Sequence, residues 1–572
     1  MKQFRNTLLL MGLLLLFLYR FHRWIIAEFL NLPAPQNFVT VHNALHMPMQ
    51  DGTLLTADHY EPSAPGSYPT VLIRSPYGRN AKASVFGFLL AFIAQRFAER
   101  GYHVLIQDVR GRFDSQGEFN PYFNEKQDGL DTLAWLEHQP WFNGVVGTWG
   151  SSYLGIVQWV IAGDSPLIKA VAPTITGSNL REILYPDGAF DLGLAMRWLS
   201  IFHYLDLYHN RPLIFAARMW SQIERGIKPA FEHLPISEVD QLAVGKPVGF
   251  YRFWLDHAAE DDPIWLEAVK GIDVSHVDKP AHLIGGWYDF FLRALLKDYE
   301  TLKVNGHNPY LTIGPWHHFN AMVSWVDLRE GIIWFDAHLK GDASRLRAAP
   351  VRLYMMGANE WRDFETFPPK STPKAFYLHD GQKLADIPCD LAESHDGYCY
   401  DPAHPTPNLG GTIFSPFAGG SHDNHRLEMR DDVLIFTTEP LEQPLEVVGY
   451  VRLKLYVRST LEYTDFFGRL CDVHPNGKSM NVCDGLFRVE PGKGEVQPDG
   501  SLLIDIDLWA TAYCFKKGHA IRLQVSSGAH PRWSRNLGTG GLLAFNKHYL
   551  CAKQVVYHDK LHPSAVILSI NS

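Results

Sequence analysis

Residues 145–156 read Val145-Val146-Gly147-Thr148-Trp149-Gly150-Ser151-Ser152-Tyr153-Leu154-Gly155-Ile156. An apolar run of the buried-strand type passes directly into small residues and then into a helical pattern over 156–162. This is the setting of a nucleophile elbow, where a serine sits on a sharp strand-to-helix turn with its hydroxyl raised above a sheet. Such a turn needs small neighbours because the backbone passes close to itself. Ser152 fits the nucleophile position, with Gly150 two residues before it. Ser151 fits less well, since Trp149 would then occupy a place that has to be small. One departure stands out: the usual G-x-S-x-G carries glycine two residues after the serine, where this chain has Leu154 followed by Gly155.

Working outward, short apolar runs at 70–74, 103–107, 145–149 and 170–172 alternate with helical patterns at 86–100, closed by Gly101, and 128–138. Strands alternating with helices predict βαβ units and a parallel sheet covered on both faces. Two more strand runs, 281–285 and 310–314, follow a long interruption, and 327–340, closed by Gly341, reads as a last helix. Upstream, 46–50 and 54–60 flank Asp51-Gly52, a hairpin signal. The interruption at 179–271 is rich in Leu, Trp, Phe, Tyr and Arg at helical spacing and reads as a helical cap inserted over the sheet. Its aromatic stripe, Trp198, Tyr204, Trp220 and Phe231, is expected to be internal packing. From about Pro350 the texture changes to short alternating strands with turns at Asp380-Gly381, Asp396-Gly397, Asn476-Gly477 and Asp499-Gly500, which predicts an all-β sandwich. The fold class expected is therefore an α/β-hydrolase core (36–178 and 272–347) with an inserted helical cap (179–271) and a C-terminal all-β jelly-roll sandwich (348–572).

A serine hydroxyl needs an imidazole base and a group that orients that base. In α/β-hydrolases these follow in the order serine, acid, histidine. Leu283-Ile284-Gly285-Gly286-Trp287-Tyr288-Asp289 puts an aspartate just past one strand, and Leu311-Thr312-Ile313-Gly314-Pro315-Trp316-His317-His318 puts histidines past the next. Catalytic groups in open α/β sheets gather outside the carboxyl ends of the strands, so the three segments can converge. Taken singly, Asp289 reads equally well as a helix N-cap, and either histidine as an ordinary surface or core residue.

Together with Arg74-Ser75-Pro76-Tyr77, Gln107-Asp108-Val109-Arg110-Gly111, Ser115-Gln116-Gly117-Glu118-Phe119 and Cys483-Asp484-Gly485, these segments resemble, in order and over most of the chain, the cocaine-esterase-like hydrolases, which include X-Pro dipeptidyl peptidases and α-amino-acid ester hydrolases. Those proteins carry G-x-S-Y-x-G at the elbow, which accounts for Leu154 and Gly155. The resemblance implies Ser152 as nucleophile, His318 rather than His317 as general base, Asp289 as the orienting carboxylate, and an oxyanion hole from the Tyr153 N–H and the Tyr77 phenol. It implies no cofactor and a small-molecule ester as substrate. Phe290-Phe291-Leu292-Arg293 directly after Asp289 favours an apolar acyl group over a free α-amino group, although Glu182, Asp187 or Asp191 of the cap can supply the carboxylates an ammonium needs. The competing readings are an X-Pro dipeptidyl peptidase or α-amino-acid ester or amide hydrolase, and a catalytically vestigial binding protein.

The chain has 572 residues and 65.0 kDa, 46% of them hydrophobic, enough for several packed cores. Its 61 acidic against 52 basic side chains leave a net charge of −9, against a protein that coats nucleic acid. Six cysteines, none in C-x-x-C, point away from structural zinc and toward buried thiols, with Cys389 and Cys399 as a candidate disulfide in an oxidising compartment. His422-Asp423-Asn424-His425 has the letters of a metal motif without further ligands nearby, and no metal is expected. Asp108 and Arg110 are expected to form a structural ion pair. At the N-terminus, Lys2 and Arg5 precede an apolar run over 7–19, followed by Arg20, His22 and Arg23. Residues 1–35 read as a hydrophobic anchor or signal with a linker, membrane attachment being favoured over export or a cytoplasmic location. Oligomeric state is not legible.

Overall fold

The computed structural model describes residues 21–209, 211–265 and 272–571. Ten strands form the core sheet: β1 (Val39–Pro48), β2 (Leu54–Pro62), β3 (Thr70–Ser75), β4 (His103–Asp108), β5 (Val146–Ser151), β6 (Ile168–Thr174), β7 (His282–Tyr288), β8 (Tyr310–His317), β9 (Val351–Met355) and β10 (Glu360–Phe364). Their order is β1-β2-β4-β3-β5-β6-β7-β8-β9-β10. From β4 to β9 every neighbour is parallel, while β1–β2, β2–β4 and β9–β10 are antiparallel. The sheet thus continues two strands beyond the change of texture near residue 350.

Side-chain alternation along β5 explains why both faces are covered. Gly147 and Trp149 face the helix α10 (Ala321–Leu339), where a Cβ on Gly147 would lie 2.8 Å from Phe335 and one on Gly331 would lie 2.9 Å from Trp149. Thr148 faces the other way and donates to Gln158 of α3 (Tyr153–Ala162) at 3.1 Å. The helices α1 (Val85–Ala98), α2 (Glu125–Glu137) and α9 (Leu292–Val304) complete the layers. The interruption is helical as expected: α4 (Leu180–Leu184), α5 (Leu192–Leu207), α6 (Pro212–Glu232), α7 (Val239–Val244) and α8 (Gly249–Asp256). Asp191 starts α5 by accepting from the Leu194 N–H at 2.8 Å.

The C-terminal domain is all-β. Leu445–Ser459 pairs with Leu502–Phe515, and Thr464–Val473 pairs with both Ser479–Val489 and Ala520–Ser526. Gly381, Gly477 and Gly500 take positive φ in the expected turns. Asp396-Gly397 does not turn. It lies within the strand His395–Tyr400, Gly397 opposite Val555, where a Cβ would meet the Gln554 carbonyl oxygen at 2.9 Å. Glycine there serves close strand approach.

Several expectations are corrected. Among the described residues no helix is long and apolar enough to cross a membrane, against a membrane-spanning N-terminus. The apolar run over 7–19 lies outside the described residues. The helical segment that follows packs on the hydrolase core, burying Ala27 and Leu32. Arg23 donates to the Asn37 carbonyl and lies over the Phe38 ring at 4.1 Å. All six cysteines are free, Cys389 buried and Cys399 exposed, so the candidate disulfide does not form. Asp108 and Arg110 are structural but not paired with each other. Arg79 binds Asp108, whereas Arg110 binds Asp128 at 2.6 Å and Asp51 at 2.7 Å.

Candidate active site

The elbow forms where β5 meets α3. Ser152 has φ 59° and ψ −125°, a backbone region that non-glycine residues rarely enter. The glycines around it are required by contact: a Cβ on Gly150 (φ +146°) would lie 2.5 Å from Leu154, and one on Gly155 would lie 2.3 Å from Thr176. The close crossing thus falls at Gly155, and position 154 is free to be leucine.

The three chain segments converge at this turn. His318 Nε2 lies 3.1 Å from Ser152 Oγ, and His318 Nδ1 lies 2.8 Å from Asp289 Oδ2. Asp289 is fully buried, and its other oxygen accepts the Phe291 N–H at 2.8 Å. The Asp289 carbonyl also accepts the Leu292 N–H at 3.1 Å, closing the turn that leads into α9, whose N-cap is Phe291 rather than Asp289. His317 points elsewhere: its ring borders Gly419, and burial lowers its basicity.

Tyr77 follows β3 and lies beside Ser152. Its phenol oxygen accepts from Trp198 Nε1 at 3.1 Å, and its ring stacks on Phe202. Burial pushes this phenol up to about 12, so it remains a proton-carrying donor through the neutral range. Tyr153 opens α3, where the backbone N–H has no partner within the helix. The Tyr153 side chain serves the fold: its hydroxyl donates to Glu125 at 2.6 Å, and Glu125 is paired with Arg74 at 2.8 Å.

Two apolar spaces meet at Ser152. A narrow slot of about 30 Å³ is walled by Tyr122, Leu184, Trp198, Trp254, Phe290 and Phe291. A wider cavity of about 310 Å³ is lined by Tyr77, Phe86, Leu90, Ile201, Phe319 and Trp325. Phe414 of the jelly roll borders both, its ring 5.2 Å from His318. Among the described residues, no carboxylate lines either space. The cap acids are engaged elsewhere: Glu182 and Asp187 bind Arg293, and Asp191 caps α5. Trp198, expected as internal packing, also donates to Tyr77 and walls the slot. Phe414 carries no local sequence signal for this site, because it arrives from the jelly roll. His422-Asp423-Asn424-His425 builds a turn, Asp423 accepting backbone N–H groups of His425 and Ser479.

An elbow serine at the carboxyl ends of parallel strands, under a helical cap, defines a serine hydrolase of the α/β-hydrolase fold. Comparison with known proteins makes this specific. Residues 51–320 match the X-Pro dipeptidyl-peptidase (S15 family), and residues 346–567 match the X-Pro dipeptidyl-peptidase C-terminal non-catalytic domain. The chain is 33% identical over 575 residues to cocaine esterase of Rhodococcus sp. (strain MB1 Bresler), covering 93% of this chain and 99% of that one. The chain belongs to the S15 family of serine hydrolases, alongside cocaine esterase. Its fold is shared with an α-amino acid ester hydrolase (TM-score 0.77, 22% identity, 94% and 97% of the two chains). It is also shared with an aminopeptidase from the marine sediment archaeon Thaumarchaeota archaeon (TM-score 0.75, 22% identity, 93% and 97%).

Proposed function

We propose that the protein hydrolyses carboxylic esters with bulky apolar groups, through an acyl-enzyme on Ser152. Ser152 Oγ attacks the ester carbonyl while His318 Nε2 takes its proton, and Asp289 stabilises the resulting imidazolium. Negative charge developing on the carbonyl oxygen is met by the Tyr153 N–H and the Tyr77 hydroxyl. The tetrahedral intermediate collapses, His318 returns the proton to the leaving alcohol, and the ester C–O bond breaks. Water then attacks the acyl-enzyme by the same route, releasing the acid and freeing Ser152.

The observation that carries this reading is the unbroken hydrogen-bonded relay from Ser152 through His318 to Asp289, opening on spaces that no carboxylate lines among the described residues. An ammonium in such a place would be desolvated with no counter-charge, which costs several kcal/mol. This favours neutral esters over the free α-amino substrates of a dipeptidyl or aminoacyl hydrolase. The test is turnover of p-nitrophenyl benzoate and butyrate against X-Pro and aminoacyl p-nitroanilides. Ester turnover with a p-nitrophenol burst, and amide turnover lower by at least ~10²-fold, is the expected result. Preferential cleavage of the N-terminal amides would overturn it.

A further inference from the structure

Outside the active site, the described residues contain one group of three side chains whose potential metal-ligating atoms all lie within 4.8 Å of one another: Asp472, His474 and His519. They come from two distant parts of the jelly roll. Asp472 is in the strand Thr464–Val473, His474 begins the turn that follows, and His519 directly precedes the strand Ala520–Ser526. Strand pairing brings these parts together, with Asp472 opposite Ile521 and Val473 opposite Ala520.

We propose that Asp472, His474 and His519 form a binding site for one divalent transition ion of the zinc type, which clamps the turn after residue 473 to the start of the neighbouring strand. A single oxygen, Asp472 Oδ2, lies 3.0 Å from His519 Nδ1 and 3.4 Å from His474 Nε2. An ion held at about 2.1 Å from that oxygen and from each imidazole nitrogen subtends roughly 90–110° across these two oxygen–nitrogen separations, the range spanned by octahedral and tetrahedral centres. Two imidazoles and one carboxylate select zinc-like ions over magnesium or calcium, which prefer all-oxygen sets.

The site is held in place before any ion arrives. Asp472 is buried, and the Tyr513 hydroxyl donates to its Oδ2 at 2.9 Å, an outer contact that fixes the carboxylate's orientation. His474 is anchored by its N–H donating to the Lys478 carbonyl at 2.8 Å, with Gly477 donating back to the His474 carbonyl at 2.9 Å. His519 is anchored by its N–H donating to the Lys516 carbonyl at 3.1 Å, while its own carbonyl accepts the Leu441 N–H at 2.8 Å. The two imidazole rings lie 4.5 Å apart, centroid to centroid. His474 keeps a third of its side-chain surface exposed, which leaves a solvent-facing position for water as a fourth ligand.

The experiment uses the full chain, freed of any polyhistidine tag and stripped with chelator, titrated with Co²⁺ and Zn²⁺ and, as a control, Mg²⁺. The expected result is one equivalent of Co²⁺ with visible d–d absorption, displaced by Zn²⁺, and a thermal midpoint that rises with Zn²⁺ but not with Mg²⁺. His474→Ala is expected to weaken binding at least ~10-fold, the double variant His474→Ala/His519→Gln to abolish that equivalent, and Tyr513→Phe to weaken it less. Circular dichroism and ester turnover of these variants without metal are expected to match the parent protein. Absence of a stoichiometric Co²⁺ signal, or the same signal in the double variant, would overturn the proposal.

Discussion

Replacing Tyr77 by phenylalanine removes a single oxygen, the one proposed to donate to the developing oxyanion. The Tyr77 ring is held independently of it, by Phe202 at 5.6 Å and Phe86 at 5.5 Å and by the Ser75 hydroxyl accepting the Tyr77 N–H at 3.0 Å. The ring therefore stays where it is. The oxygen accepts from Trp198 Nε1, which leaves its own hydrogen to point toward Ser152. Losing one such oxyanion donor costs about 10²–10³ in kcat, or about 2.7–4 kcal/mol of transition-state stabilisation. The same change leaves the Trp198 N–H without its acceptor, at a cost of about 1–3 kcal/mol in stability. The two effects separate by assay. Burst and steady-state kinetics on a p-nitrophenyl ester should show kcat lower by about 10²–10³ with KM little changed, because the donor acts on charge that appears only in the transition state. Thermal unfolding should show a midpoint lower by a few degrees, largely recovered in Tyr77→Phe/Trp198→Phe, where no indole N–H is stranded. A kcat within ~3-fold of the parent value would refute the oxyanion assignment of Tyr77.

Other expected outcomes follow from the same geometry. His59 and His103 are buried side by side, 3.0 Å apart, and burial pushes them down to about 3 and about 4, so both are neutral in the fold. The unfolded chain takes up protons below about 6.5, so their contribution is fully present above that pH and is lost as pH falls toward 4 and 3. Denaturant midpoints should correspond to about 2–4 kcal/mol less stability at pH 5.0 than at pH 7.5, and His59→Gln should flatten that dependence; a parallel slope in the variant would rule out this source. Gly155→Ala forces a Cβ against Thr176 and should cost about 1–3 kcal/mol while lowering kcat by displacing the elbow; an unchanged melting curve would contradict the required crossing. Arg293→Met strands the buried Asp187 and should cost about 3–5 kcal/mol, recovered in part by Asp187→Asn, which denaturant unfolding of the two variants would test.

The parts legible in the sequence are those written in local pattern. Strand runs that stop just before Ser152, Asp289 and His318 announce the sheet and the order in which these three side chains come together, because each directly follows a buried apolar run. Asp51-Gly52 announces the β1–β2 hairpin because its positive φ demands such residues. What was not legible depends on contacts between distant segments. Asp108 and Arg110 are two residues apart and of opposite charge, yet one binds Arg79 and the other Asp128, since the strand ends between them. Trp198 has the spacing of a packing residue and does pack, but its indole N–H also faces Tyr77. Phe414 reaches the site only because the jelly roll folds back onto it. Asp396-Gly397 has the letters of a turn and lies in a strand, where closeness to Gln554 sets the need for glycine. Asp472 and His519 are 47 positions apart, and only strand pairing joins them.

The proposed chemistry turns on one hydroxyl, that of Ser152, made nucleophilic by its relay to His318 and Asp289. Labelling of the full chain with a fluorophosphonate, followed by peptide mapping, tests this most directly. A single modified serine, Ser152, is expected, with labelling lost in Ser152→Ala and slowed at least ~10²-fold in His318→Ala, while Ser151→Ala still labels. Modification at Ser151, or labelling of Ser152 at an unchanged rate without His318, would contradict it.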